Sequence, residues 1–300
     1  MNAVVSLLER TVAASVALDV AVPESHPSSA LLGTRRHGSG FIFNPLGLVV
    51  TANYVTLGAR RIQLRSVDNQ TWSGRPLVQD FVRGFAVVAI EETGRFPTLP
   101  LGSVDELKVG DPVFLLGSGP ENARRVHDGI VSAIEPFDAY WEYHVDRAVF
   151  TTTPNPGFGG AALLDRQGVA RALVLLEVAE IGRFTLAVPL DYLAQHHEEV
   201  VRQPHSARLP ARGWLGLFCY SVSNHVVVGG VIPGSPAETG GLKSGDVVLM
   251  VGDERIYDRG SLYNLIWRHK PGDRIQMRVY RNNAIVSLDF ELGNAEEFFA

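Results

Sequence analysis

Apolar positions along this chain recur mostly in short runs with a period of two, and helical spacing is confined to a few stretches. Residues 2–12 have apolar spacing compatible with a short helix, after which Val16, Leu18, Val20 and Val22 alternate with other residues as a strand does. Residues 23–37, containing Pro, Ser and Arg, read as a loop. From Gly38 to Gly182, β-rich runs alternate with turn signals, and strands are expected at 40–43, 48–51, 62–67, 85–90, 113–116, 129–134 and 169–176. Asn44-Pro45-Leu46-Gly47 joins the first two with Pro second and Gly fourth, as a type I turn favours. Such a succession predicts a barrel or sandwich. Residues 191–201 read as a closing helix and 202–212, with Pro and Arg, as a linker.

A second pattern starts at Gly213. Strands are expected at 215–220, 225–232, 247–251, 274–281 and 285–292, with one helix at 261–268. Ser261 is the expected N-cap, and the Pro271-Gly272 turn follows the helix. The chain of 300 residues is long for one domain, which agrees with the division.

Composition narrows the chemistry. Hydrophobic residues make up 46% and charged residues 20%, ordinary for a globular protein. With 27 Lys+Arg against 32 Asp+Glu the net charge is -5, which argues against a nucleic-acid partner held by bulk electrostatics. The single cysteine, Cys219, excludes an intramolecular disulfide framework and a cysteine-rich zinc site. His196 and His197 are adjacent, so on a helix they point about 100° apart and do not form a metal-ligating pair. No metal and no cofactor are expected. Glu9 and Arg10 interrupt the apolar N-terminal stretch, which makes a poor export signal, and no run is long enough to span a membrane. The sequence as it stands is therefore expected to be cytoplasmic, or periplasmic if a leader has been trimmed from its start.

Four stretches carry more than composition. They are Gly38-Ser39-Gly40-Phe41-Ile42, Val50-Thr51-Ala52-Asn53-Tyr54-Val55, Leu101-Gly102-Ser103 with Val109-Gly110-Asp111, and Asn155-Pro156-Gly157-Phe158-Gly159-Gly160. In this order and spacing they resemble the HtrA (Deg) family of trypsin-like serine proteases. The resemblance continues through Gly129-Ile130-Val131-Ser132-Ala133-Ile134 and Ala187-Val188-Pro189. Beyond Gly213, Gly213-Trp214-Leu215-Gly216-Leu217, Ser235-Pro236-Ala237 and Gly241-Leu242-Lys243-Ser244-Gly245-Asp246 resemble the PDZ domain that such proteases carry. The resemblance implies a mainly β fold: a trypsin-like double β-barrel over residues 1–200, a linker at 201–212, and an α+β PDZ domain at 213–294.

The family's catalytic motifs depart from type here. A serine protease of this kind needs a nucleophilic hydroxyl, an imidazole base and an orienting carboxylate. The matching positions hold Tyr54 for the histidine, Gly84 for the aspartate and Gly159 for the serine. A phenol with an ordinary pKa of about 10 is a poor general base at neutral pH. Asp80, four residues before Gly84, reads as a solvated loop carboxylate. The expectation is thus a protein that is not an enzyme, a pseudoprotease. The turn Gly157, Phe158 and Gly159 would retain a vestige of an oxyanion hole, whose donors are backbone N–H groups.

For the second domain the resemblance implies peptide binding. A PDZ turn, here Trp214-Leu215-Gly216-Leu217, aims backbone N–H groups at a peptide's terminal carboxylate, and the peptide pairs as an added strand beside residues 217–221. Leu262, Leu265 and Ile266 could wall the pocket for the last side chain, although some of them must be core. The function implied is a scaffold, adaptor or regulatory subunit that binds C-terminal peptides or partner proteins. Family habit adds self-association, commonly as a trimer through the barrels, or co-assembly with another protein. Two alternatives stand beside it: a serine endopeptidase of the HtrA type in protein quality control, and a structural subunit whose PDZ groove a neighbouring chain occupies.

Overall fold

The computed structural model describes residues 3–119, 122–155, 159–178, 182–202 and 211–300. Its chain divides into two compact units. One is Met1–Pro136 with Asp146–Arg208, and the other is Phe137–Val145 with Leu209–Ala300.

The first unit opens with helix α1 (Ala3–Ala14), strand β1 (Ser15–Ala21) and a one-turn helix α2 (Ser29–Leu32). Strands β2 (Arg35–Asn44) and β3 (Leu48–Ala52) follow, then the one-turn helix α3 (Asn53–Thr56), β4 (Arg61–Arg65), β5 (Thr71–Gln79) and β6 (Phe85–Ile90). The six strands close into a barrel in the order β1-β2-β3-β6-β5-β4. The alternation of Val16, Leu18 and Val20 buries those three residues on the inner face, as period-two patterning requires. The turn from β2 to β3 is the expected one, with Gly47 N donating to Asn44 O at 3.0 Å.

A second barrel uses β7 (Pro112–Ser118), β8 (Arg124–Asp138), β9 (His144–Thr151), β10 (Ala162–Leu164), β11 (Ala170–Val178) and β12 (Phe184–Pro189), in the order β10-β11-β12-β9-β8-β7. Val113, Leu115, Val131, Val149, Leu163 and Val174 fill it. Helix α4 (Asp191–Arg202) follows the last strand. The barrels meet through polar contacts: Ser118 N donates to Ser39 Oγ at 2.8 Å, and Ser39 N donates to Gly159 O at 2.8 Å.

The second unit holds β13 (Leu217–Val222), β14 (His225–Val231), the short α5 (Pro236–Thr239), β15 (Val247–Val251), β16 (Glu254–Arg255), α6 (Arg259–Trp267), β17 (Arg274–Arg281), β18 (Ala284–Glu291) and α7 (Ala295–Phe298). The sheet runs β13-β14-β15-β17-β18, with β16 paired to β15. Its inner face and α6 enclose Leu217, Val228, Val248, Tyr263, Met277 and Phe290. Ser261 is not the N-cap of α6. That place belongs to Asp258, whose carboxylate accepts from Ser261 N at 2.7 Å, while the Ser261 hydroxyl reaches back to the Asp258 backbone. A carboxylate three residues earlier closes the reciprocal capping box.

The architecture is mainly β, as the short apolar runs predict, and its two six-stranded barrels and α+β unit are those the resemblance implies. Strands β5, β9, β10, β12 and the two-residue β16 were not expected from periodicity. In β5 the exposed residues and a register shift between Pro76 and Val78 blur the alternation.

Candidate functional site

Two places carry the motifs that point to chemistry, one in each unit. In the first, Tyr54 lies on α3, directly after β3. Its hydroxyl donates to Leu175 O at 2.7 Å, and burial pushes the phenol up to about 12. Leu175 falls where the pairing of β11 with β12 shifts between Val174 and Leu176, so the phenol meets the carbonyl of a bulged residue. Arg36, itself buried, holds the other end of α3 by donating to Tyr54 O and Leu57 O, each at 2.8 Å.

Gly159 lies against this phenol. A Cβ at position 159 would strike the Tyr54 hydroxyl, so the two residues fill one space between them. At Gly160 the backbone has φ of 88°, and a Cβ there would meet Ser39 O, which leaves glycine as the residue that fits. Gly84 also has positive φ, 81°, and its carbonyl accepts from Asn53 N at 3.0 Å. Positions 54 and 159 thus come together, while Gly84 touches the α3 segment through backbone only. Gly157 and Phe158 of the expected oxyanion turn lie outside the described residues.

Asp80 is no solvated loop carboxylate. It is buried, accepts from Val82 N at 2.9 Å and Arg83 N at 2.6 Å, and pairs with Arg83 Nη1 at 2.6 Å. Those contacts fasten its own turn.

The second place is the turn ahead of β13. Gly216 has φ of 81°. The carbonyls on this turn are taken from one side: Ala237 N donates to Leu215 O and Ile232 N to Gly216 O, each at 2.8 Å. The N–H groups of Leu215, Gly216 and Leu217 consequently face the other way and converge, the arrangement of an anion-binding nest. They meet the carboxylate of Glu142. Leu215 N donates to Glu142 Oε1 at 3.1 Å, and Gly216 N and Leu217 N donate to Oε2 at 2.5 Å and 3.2 Å. Burial raises the Glu142 carboxyl to about 7, although the three N–H groups and Arg212 all pull it down.

Trp214 is buried and packs against Phe298 and Phe299, with ring centroids at 4.8 Å and 5.8 Å. Leu215, Leu217, Leu262, Leu265 and Ile266 are all buried in the core of this unit. Glu142 was missed in the sequence because it lies in a segment without regular spacing. Its signal was an acid among aromatics, Tyr140-Trp141-Glu142-Tyr143.

His196 and His197 lie on α4, where His196 faces Glu199 at 3.7 Å. Among the described residues no three His, Cys, Asp or Glu side chains gather as a metal site would need. Likewise, no helix among them is long and apolar enough to cross a membrane.

Comparison with known proteins places this geometry. Residues 38–173 match the trypsin-like peptidase domain and residues 213–292 the PDZ domain. A probable periplasmic serine endoprotease DegP-like of Ectopseudomonas mendocina (strain ymp) is 30% identical over 279 residues, covering 87% of this chain and 57% of the relative. Its counterpart in Hahella chejuensis (strain KCTC 2396) is 30% identical, covering 85% and 56%. Among solved structures, HtrA-type protease AlgW with decapeptide superposes with a TM-score of 0.57 at 25% identity, covering 98% of this chain and 99% of that one. The chain belongs to the HtrA (Deg) family. This HtrA-family chain spans a little over half the length of the curated relatives it matches.

These comparisons overturn the expectation that the protein is not an enzyme. Relatives across most of the chain are named serine endoproteases, and the solved neighbours are HtrA-type proteases. The expectation rested on Tyr54, Gly84 and Gly159 alone, and three side chains missing at motif positions do not set the class of a whole scaffold. The cytoplasmic expectation also loses its support, because the relatives are named periplasmic.

Tyr54→Phe removes the donor to Leu175 O and should lower stability by about 1–3 kcal/mol in urea unfolding. Gly159→Ala should destabilise the wild type far more than it does a Tyr54→Ala background, where the phenol no longer fills the space. Additive effects of the two changes would refute the shared packing. For Glu142, the folded chain still holds its proton between about 4.5 and about 7, where the unfolded chain has released it. Its contribution therefore makes stability fall as pH rises through that window, and Glu142→Gln should flatten the slope in unfolding curves taken across it.

Proposed function

We propose that this HtrA-family chain engages polypeptides by their ends, through the carboxylate-binding turn at residues 215–217, and does so in the periplasm, as the names of its relatives suggest. One observation carries the reading: three converging backbone N–H groups hold a carboxylate here, the group that ends every peptide. The extended ligand pairs beside β13, and Gly216 gives the turn its positive φ, with no room for a Cβ against Ser235 and Trp214. The neighbour solved with a decapeptide supports a peptide as the ligand class. Self-association, as a trimer or with another protein, belongs to the same reading and is checked by sedimentation.

The test is a set of peptides ending in an apolar residue, each with a free and an amidated terminus, titrated against the protein by fluorescence anisotropy. Charge-assisted hydrogen bonds contribute roughly 1.5–3 kcal/mol, so amidation should weaken binding by about one to two orders of magnitude. Equal affinity for both forms would overturn terminal recognition.

A second reading, a serine endopeptidase of the HtrA type in protein quality control, is favoured by the relatives' printed activity. On that reading the purified chain cleaves unfolded casein, and a serine-directed fluorophosphonate both blocks cleavage and labels one peptide, which names the nucleophile. Absence of both cleavage and label would exclude it.

A further inference from the structure

The carboxylate that fills the turn at residues 215–217 belongs to the protein itself. Glu142 lies in the connection between β8 and β9, within Phe137–Val145, which forms part of the second compact unit. The contact is more than a single carboxylate. Trp141 forms an antiparallel bridge with Phe218, and Cys219 N donates to Tyr140 O at 2.7 Å. The Tyr263 hydroxyl, in the buried core, donates to Ala139 O at 2.9 Å. The Tyr140 ring stacks on Tyr220 at 6.0 Å with an interplanar angle of 16°. Residues 139–142 thus pair along β13, through the hydrogen bond at Tyr140 and the bridge at Trp141, and end in a carboxylate on the turn. Those are the two parts of peptide recognition by strand addition.

We propose that residues 139–142 are a resident ligand of this groove, with the Glu142 side chain standing in for a terminal carboxylate, so that an incoming C-terminal peptide binds only as this segment leaves. The inference rests on the peptide-binding reading above and assigns its regulation. Both carboxylates need the same three N–H groups, and Glu142 already reaches Gly216 N at 2.5 Å. A tethered ligand acts at an effective concentration that free peptide must overcome. The apparent affinity for peptide is lowered by the fraction of molecules in which the turn is free. The ligand that succeeds is therefore a chain end with an apolar last side chain and a neighbouring strand long enough to replace the bonds to Tyr140 and Trp141.

The experiment uses the full chain in wild-type, Glu142→Ala and Glu142→Gln forms. The probe is a fluorescein-labelled decapeptide with a free apolar C-terminus, read by anisotropy, alongside amide hydrogen exchange at residues 215–217. Glu142→Ala should bind the probe at least about tenfold more tightly than wild type, as loss of one charge-assisted competitor implies. Glu142→Gln, which keeps the shape without the charge, should fall between them. Protection of the Gly216 amide should drop in Glu142→Ala and return when the probe is added. Equal affinity in all three proteins, with unchanged exchange at Gly216, would overturn the inference and leave terminal recognition standing. If no form binds the probe, exchange alone decides. Lost protection in Glu142→Ala sustains the resident ligand while refuting terminal recognition, and unchanged protection overturns the resident ligand as well.

Discussion

Three backbone N–H groups that point to one spot cannot be left without an acceptor. The positive φ of Gly216 turns Leu215, Gly216 and Leu217 so that their donors converge, and the carbonyls of Leu215 and Gly216 are already spent on Ala237 N and Ile232 N. A buried donor without a partner costs about 1–3 kcal/mol, so a turn with three of them requires water or an anion. Around that requirement the rest of the unit is arranged. Trp214 is clamped by a reciprocal pair of backbone bonds with Gly293, at 3.0 Å and 2.9 Å, and by Phe298 and Phe299. Ser235 supports the Gly216 carbonyl from below, its hydroxyl donating at 3.3 Å. The turn is held from every side except the one it offers to a carboxylate.

The barrel unit shows a related economy of space at Tyr54 and Gly159. A phenol needs a partner for its hydroxyl when buried, and the bulge at Leu175 supplies a carbonyl that the regular ladder leaves exposed to it. Because the ring occupies the room in front of position 159, only a residue without a side chain fits there. The two identities are thus one structural decision. Gly160 adds a second constraint of a different kind, since its backbone conformation excludes a Cβ whatever stands at Tyr54.

Much of the architecture was legible because period-two burial leaves a visible trace. Val16, Leu18 and Val20 alternate in the sequence and are buried together in the first barrel. The Asn44-Pro45-Leu46-Gly47 turn was legible through the preferences of Pro and Gly. Strand β5 was hidden because its residues are largely exposed and Pro76 interrupts the ladder. The N-cap of α6 was misplaced because Asp258 and Ser261 form a reciprocal box, and either residue alone suits an N-cap. Trp214, Leu215, Gly216 and Leu217 were legible as a motif, yet their occupant was not. Glu142 lies 73 residues before Leu215, a separation across which no spacing rule operates.

That separation also explains why the occupant is a side chain rather than a chain end. A terminal carboxylate ends its strand at the turn, whereas the segment through Glu142 must continue into β9 at His144. The connection meets both demands by bridging β13 at Trp141, one residue before the carboxylate, and then leaving. Asp138, the last residue of β8, pairs with His144 Nδ1 at 2.7 Å, which draws the two ends of the loop together. A short loop closed in this way loses little further entropy when it settles on the groove, so few contacts suffice to hold it. Its hold is also bounded: burial raises the Glu142 carboxyl to about 7, which means the ionised form that binds the three N–H groups best is the form the site solvates least. On the competition proposed above, a free chain end must therefore bring more backbone bonds to β13 than the one that Tyr140 accepts from Cys219 N, since only that surplus offsets the desolvation of its own carboxylate.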